Sequence, residues 1–257
     1  MVNYKLTFLG TGTSQGVPVI GCGCEVCKSH DFRDNRLRSS VMIQSHQTTI
    51  IIDTGPDFRQ QCLRNKINKI DAVLYTHEHM DHVSGLDDIR PFNYIHQKDI
   101  NLYAEERVLN CLKRIYKYAF DEEKYPGVPE IKLHPIDDKG IIKINDMEIK
   151  PIRVYHKELP VLGFKIGDLC YITDANEIPA DSILELMSCK ILVINALRHQ
   201  KHVSHFTFSE AIEILQKIKP EKGFLTHISH QLGKHAEIYA LCPEGIEPSF
   251  DDLEIIF

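Results

Sequence analysis

The segment VLYTHEHMDHVSG, residues 73–85, sets His77, His79, Asp81 and His82 directly behind a short apolar run. That density of metal-competent side chains is more than packing alone calls for. Val73, Leu74 and Tyr75 read as the end of a buried strand, so the four polar groups lie on the loop that leaves it. In an extended stretch His77 and His79 project to one side, while Asp81 and His82 point elsewhere. One loop can therefore feed two neighbouring cations. Imidazole nitrogen and carboxylate oxygen suit zinc, manganese or iron, and a pair of such ions supports hydrolysis by making water nucleophilic near neutral pH.

A second cluster sits upstream, in the glycine-rich loop GTGTSQGVPVIGCGCEVC. Cys22, Cys24 and Cys27 are too close together for comfortable disulfides but well placed around one tetrahedral zinc. The fourth ligand is either His30, nearby, or His230, far along the chain. A closed four-ligand zinc is structural, because no position is left for substrate. The glycines do not form a nucleotide loop, since no Gly-Lys-Ser and no helix follows them.

The H-x-H-x-D-H loop resembles the signature of the metallo-β-lactamase superfamily. The resemblance implies three further ligands, each after a strand and in the family's order: His156 in IKPIRVYH, Asp174 in DLCYITDAN and His227 in KGFLTHISH. It thus covers nearly the whole chain. It implies an α/β protein, a single-domain αββα sandwich over residues 1–257 with a zinc loop at about residues 21–30. It also implies a di-metal site: His77, His79 and His156 on one ion, Asp81, His82 and His227 on the other, Asp174 bridging both. Asp53, after TTIII, corresponds to a carboxylate that supports the metal loop by hydrogen bonding.

More narrowly, the cysteine loop together with LTHISHQ is similar to the phosphoribosyl cyclic phosphodiesterases of the carbon–phosphorus lyase pathway and their relatives. There the second histidine of T-H-I-S-H completes a Cys3His zinc, which falls on His230 and would pin the N-terminal loop to the loop carrying His227. A histidine ahead of a late helix contacts phosphate and assists catalysis. That role falls on His205 in ALRHQKHVSHFTFSEA, as donor of a proton to the leaving alkoxide, with Asp81 the other catalytic group. His199 and His202 read as solvated members of the same loop.

The expected function is hydrolysis of cyclic or small-molecule phosphodiesters by a hydroxide bridging two zinc or manganese ions. Two dications, two carboxylates and that hydroxide leave roughly +1 at the centre, which favours a mono-anionic diester. Three other readings share parts of this pattern. A ribonuclease Z usually adds a protruding basic, glycine-rich arm, and the sequence contains none. A thiol or persulfide oxygenase built on one iron has no need of Asp81. A non-hydrolytic relative resembling the pyrroloquinoline quinone biosynthesis protein shares the cysteine loop but can lack part of the di-metal set. A homodimer is a family-based expectation.

The elements that must position these groups follow from periodicity. The chain has 257 residues, 43% hydrophobic and 26% charged, enough for a substantial core. The net charge of -6 argues against broad nucleic-acid binding. MVNYKLTFLG reads as a strand rather than a signal peptide, and no apolar run of about 18 residues offers a membrane span. A cytoplasmic location with reduced cysteines is expected. Lys5–Leu9, SSVMIQS and TTIIID read as strands, His46 as a solvated turn residue between two of them, and Asp57 as cap of a helix through Leu63. GLDDIRPFNYIHQ reads as a short helix interrupted at Pro91, and Glu105–Tyr118 as an amphipathic helix. YKYAFDEEKYPGVPE reads as a surface excursion. The second half repeats strand and helix, its last long helix opening on a Thr207–Glu210 capping box.

Overall fold

Runs such as TIII and ILVIN are apolar on both faces, which suits strands covered on both sides rather than one. In a computed structural model, describing residues 3–121, 123 and 125–257, they build two seven-stranded sheets. The first sheet contains β1 (Lys5–Gly10), β2 (Ser40–Gln44), β3 (Thr49–Ile52), β4 (Ala72–Leu74), β5 (Ile100–Ala104) and β6 (Ile131–Pro135) in spatial order. The second contains β7 (Ile142–Ile144), β8 (Met147–His156), β9 (Leu159–Ile166), β10 (Leu169–Tyr171), β11 (Ile191–Asn195), β12 (Lys222–Thr226) and β13 (Ile246–Pro248). The last strand, β14 (Glu254–Ile256), returns to the first sheet and pairs antiparallel with β1.

Alternate residues divide between two layers. Ile50, Ile52 and Leu74 face the second sheet's Leu162, Phe164 and Val193 in a core between the sheets. Ile51 and Val73 turn outward under the helices of the first half: α1 (Phe58–Arg64), α2 (Met80–Val83), α3 (Arg90–His96), α4 (Glu106–Ile115) and α5 (Lys117–Phe120). Cys170, Leu192, Ile194 and Leu225 likewise turn outward under α6 (Ala180–Leu186), α7 (Phe208–Ile218) and α8 (His235–Leu241). Helix, sheet, sheet, helix is the expected αββα sandwich. No helix among the described residues is long and apolar enough to cross a membrane.

Several local expectations are met and several corrected. The Thr207–Glu210 capping box at α7 is formed in both directions. Asp57 does precede α1, but its carboxylate makes no cap bond; it accepts instead from the Arg38 backbone (2.8 Å) and guanidinium (3.0 Å). A charged partner outcompetes the weaker helix-end amides. Pro91 does not interrupt a helix: a 3-10 turn over Leu86–Ile89 precedes it, and α3 begins at Arg90 with the proline in its first turn, where a missing N–H costs nothing. The amphipathic helix over 105–118 splits at Tyr116 into α4 and α5. Of the excursion that follows, Glu122 and Lys124 lie outside the described residues, as do Met1 and Val2. Tyr125 is exposed, whereas Val128 is buried, and Asn93 holds the Glu130 carbonyl (2.8 Å).

The site is built where β3, β4, β10 and β12 end. Three non-glycine residues there adopt left-handed backbone: Asp53 (φ 64°), Asp174 (φ 51°) and His227 (φ 54°). Each costs on the order of 1–3 kcal/mol, and each turns a side chain out of strand direction toward the gap between the sheets. The Leu162 amide on β9 donates to the Thr76 carbonyl (3.1 Å), locking the second sheet to the loop after β4. Beneath that loop lies Gly55. A Cβ here would overlap the Asp81 carbonyl oxygen, so only glycine lets the two segments touch. Gly55→Ala is expected to displace the 77–82 loop, lower stability by about 1–3 kcal/mol and reduce bound metal, read by melting and elemental analysis. A variant with full metal content would show that this contact is not what seats the loop.

Candidate metal centre

His77 leaves β4 and is completely buried. Its Nδ1 lies 2.9 Å from the Thr76 hydroxyl, which leaves Nε2 facing the site, 3.0 Å from His79 Nδ1. His82 lies on α2 and is equally buried; its Nδ1 donates to Asp53 Oδ2 (2.7 Å). Asp53 is itself fixed by the Thr76 amide (2.9 Å) and hydroxyl (2.8 Å). The buried carboxylate therefore sets the His82 ring so that Nε2 points inward. That nitrogen is 3.2 Å from both Asp81 Oδ2 and Asp174 Oδ1, yet is in hydrogen-bonding geometry with neither. A buried, orphaned imidazole nitrogen between two carboxylates is what a cation site requires of its ligands.

The remaining groups converge from the second sheet. Asp174 takes the Thr173 hydroxyl on Oδ1 (2.7 Å), and His227 Nδ1 lies 3.0 Å from the same oxygen. Thr13 and Ser39 hydroxyls flank the His227 ring at 3.2 Å each. The glycine-rich loop thus touches the site through a threonine, and Ser39 is a contact that sequence reasoning missed. His156, at the end of β8, donates from Nδ1 to the Ser204 carbonyl (2.6 Å). Ligand atoms of Asp81, His82, Asp174 and His227 form one group, and those of His77, His79 and Asp174 another. Asp174 is shared, as a bridging carboxylate must be. His156 and His205 join Asp174 in a third group.

His205 is brought into the cluster. Its ring centroid lies 4.4 Å from that of His156 and 4.9 Å, stacked, from that of His227. Its Nδ1 is buried without a partner. His199, by contrast, is exposed and packs on Phe208 (5.5 Å). His202 departs from the solvated reading: it is half-buried, with its ring 5.0 Å from His205. Asp87 is tied to Arg90 and Tyr118.

Mutual electrostatics push the proton affinities of the clustered groups in opposite directions. Burial opposes charge on Asp174, but His227 and His82 beside it keep its carboxyl well below the ordinary range. Burial also opposes charge on His82, yet Asp174, Asp81 and Asp53 raise it well above a normal histidine. Burial keeps His77 well below and pushes His205 down to about 2. The carboxylates that raise the proton affinity of His82 are negative groups of the kind that suit a bound cation.

The cysteine cluster closes as a second centre. Sγ of Cys22, Cys24 and Cys27 lie 3.4, 3.4 and 3.5 Å from His230 Nδ1. Near-equal edges around one nitrogen fit the Zn–S and Zn–N bonds of a tetrahedral zinc, about 2.3 and 2.0 Å. His30 is exposed and outside this group. Of the two candidates for fourth ligand, His230 is the one the fold brings to the thiols.

Fold and site together define a protein of the metallo-β-lactamase fold with a candidate metal centre. The beta-lactamase superfamily domain matches residues 48–228, and the chain belongs to that superfamily. A solved diphosphatase of the PhnP family is similar over 100% of this chain and 98% of its own, at 41% identity and a TM-score of 0.94. An octanoyltransferase of Porphyromonas gingivalis W83 is 42% identical over 254 residues, 98% of this chain and 51% of that protein. The chain thus spans about half the length of this relative. Zn2+-bound PqqB from Methylobacterium extorquens shares the fold, with TM-score 0.81 and 18% identity over 98% of this chain and 99% of that one.

The two clusters predict separable metals. His230→Ala, or Cys22, Cys24 and Cys27 all changed to Ser, is expected to remove one zinc per chain and lower the melting temperature. Elemental analysis that returned an unchanged metal content would remove the zinc assignment.

Proposed function

We propose that this chain is a di-metal phosphohydrolase acting on phosphorus atoms that carry two ester-type oxygens, in small cyclic phosphodiesters or in diphosphates. The observation that carries the reading is the convergence on Asp174 of His77, His79, His156, Asp81, His82 and His227, with His205 set between His156 and His227. The orphaned His82 Nε2 and the shared Asp174 fit a pair of divalent ions, zinc or manganese. Bound there, such ions supply Lewis acidity: they lower the pKa of water and neutralise anionic phosphoryl oxygens.

The chain's own residues do the rest. Asp53 and the Ser204 carbonyl orient His82 and His156 through Nδ1, while Ser39 at Nδ1 and Thr13 at Nε2 flank His227. The Cys3His cluster, proposed as a zinc site at residues 21–30 plus His230, steadies the loop of His227 from outside. His205 is neutral in the folded chain because burial suppresses its charge. A phosphoryl anion against its ring supplies the missing counter-charge, which makes the imidazolium available as donor to a leaving alkoxide.

The diphosphatase of the PhnP family, matched over both whole chains at 41% identity, supports phosphoryl chemistry over the other readings. The ribonuclease Z reading lacks its basic arm, and the net charge is -6. The complete ligand set speaks for an active hydrolase rather than a non-hydrolytic PqqB-like protein. The name octanoyltransferase describes a relative of which this chain matches half.

Two substitutions test the reading. Asp174→Ala is expected to abolish turnover and weaken metal binding together; near-normal hydrolysis of bis-nitrophenyl phosphate by this variant would refute the ligand assignment. His205→Ala is expected to lose about 10²–10⁴ in rate on a ribosyl or alkyl diester. On the nitrophenyl diester, whose leaving group needs no proton, the loss is expected to be clearly smaller. Equal losses on both substrates would make His205 a phosphate-binding group and not an acid, and loss of metal would make it a ligand.

A further inference from the structure

The second sheet sends His156, Asp174, His205 and His227 to the centre from four separate points of the chain. One buried polar residue beside them has no part in the chemistry described so far. Asn195 ends β11 and is completely inaccessible. The chain leaving β10 still follows β11 at Ile172, whose amide donates to the Val193 carbonyl (2.9 Å). At Asp174 the left-handed turn (φ 51°) carries it out of the ladder. The Asn195 carboxamide then takes over from the strand backbone. Its Oδ1 accepts from the Ala175 amide (2.9 Å), and its Nδ2 donates to the Ala175 carbonyl (3.0 Å). A carboxamide offers an acceptor and a donor side by side, as a peptide group does.

Ala175 is a node for the other groups. Asp174 precedes it. Its carbonyl also accepts from the Phe206 amide (2.8 Å), one residue beyond His205. Asn176 follows it, donating its own amide to the Tyr155 carbonyl (2.9 Å) and accepting the Lys157 amide on Oδ1 (2.5 Å). Those two partners flank His156. Beside Asn195, the Ala196 amide donates to the Thr226 carbonyl (2.9 Å), one residue before His227. Ala175 is fully buried, so a polar group freed there has no solvent to turn to. Both side-chain bonds of Asn195 among the described residues go to Ala175 and not to a candidate ligand.

We propose that Asn195 is a positioning residue of the metal centre: by holding Ala175 it fixes Asp174 as the carboxylate shared between the two candidate ligand groups. The inference rests on the phosphohydrolase reading above for its effect on turnover, and on the ligand geometry alone for its effect on metal. Asn195 acts through the backbone of Ala175, and the strain of the left-handed turn before it is held in place by the two hydrogen bonds.

The test uses the full chain after dialysis against chelator. Mn2+ binding is followed by paramagnetic resonance, because thiolates disfavour this hard ion, and elemental zinc in the same samples reports the Cys3His cluster. Asn195→Asp keeps the size and the acceptor but sets a second oxygen against the Ala175 carbonyl. It is expected to weaken Mn2+ binding about 10–100-fold, the usual effect of losing a group that orients a ligand, with the Cys3His zinc retained. At saturating Mn2+ it is expected to lower kcat on bis-nitrophenyl phosphate while KM changes little. Asn195→Ser, whose hydroxyl can make one of the two bonds, is expected to show a smaller loss in the same sense, and it carries the test if the aspartate variant does not fold. Unchanged Mn2+ affinity in a folded variant, a change confined to KM, zinc lost in step with manganese, or failure of both variants to fold would overturn the assignment. The last two outcomes would make Asn195 a support of the fold at large. If the unmodified protein hydrolyses no diester, the catalytic reading falls, while the Mn2+ affinities still decide the role of Asn195.

Discussion

The structure depends on a concentration of buried charge at the junction of two sheets. Asp53 and Asp174 are essentially inaccessible, and His77, His82 and His227 with them. Ionised carboxylates in such a place are tolerable only with counter-charge and full hydrogen bonding. The nearby features serve those needs: the Thr76 amide and hydroxyl and the His82 ring at Asp53, and the Thr173 hydroxyl at Asp174. The left-handed turns at Asp53, Asp174 and His227 are local strain retained because the cluster over-determines them.

The two sheets meet at this cluster unequally. The first contributes one compact loop with four candidate ligands after β4. The second contributes single residues from the ends of three strands, β8, β10 and β12. The loop is held because Glu78, among its own histidines, pairs with Arg107 of α4, which also reaches the Pro160 carbonyl at the start of β9. The second sheet's residues are rigid because each follows a buried strand. Preorganisation of this kind lets the site aim its groups without reorganising.

How much of this is legible in the sequence depends on how local the cause is. The 77–82 loop, the cysteine cluster and the capping box at Thr207 each declare themselves through residue type and spacing, and the family order locates the other ligands. The αββα layers are what the family resemblance implies, and the apolar runs and amphipathic helices agree with it. The misreadings all involve competition settled in three dimensions. Asp57 is drawn to Arg38, Pro91 opens a helix rather than breaking one, and His202 is turned inward by Ser204. Nor does spacing distinguish His30 from His230, because the deciding factor is that the loop after β12 passes the cysteines. The depressed basicity of His205 is likewise a property of its burial, which no motif encodes.

The closure of the cysteine cluster on His230 has a consequence for biosynthesis. The histidines after β4 leave the ribosome well before Asp174, and the partners of Cys22, Cys24 and Cys27 come later still. A nascent chain therefore exposes thiolates and imidazoles that can hold metal only in incomplete sets. Neither candidate site is complete until the segment around residue 230 has emerged, and β14 must then still dock beside β1. Assembly of both sites is thus timed by that late segment and not by the loops that carry most of their residues.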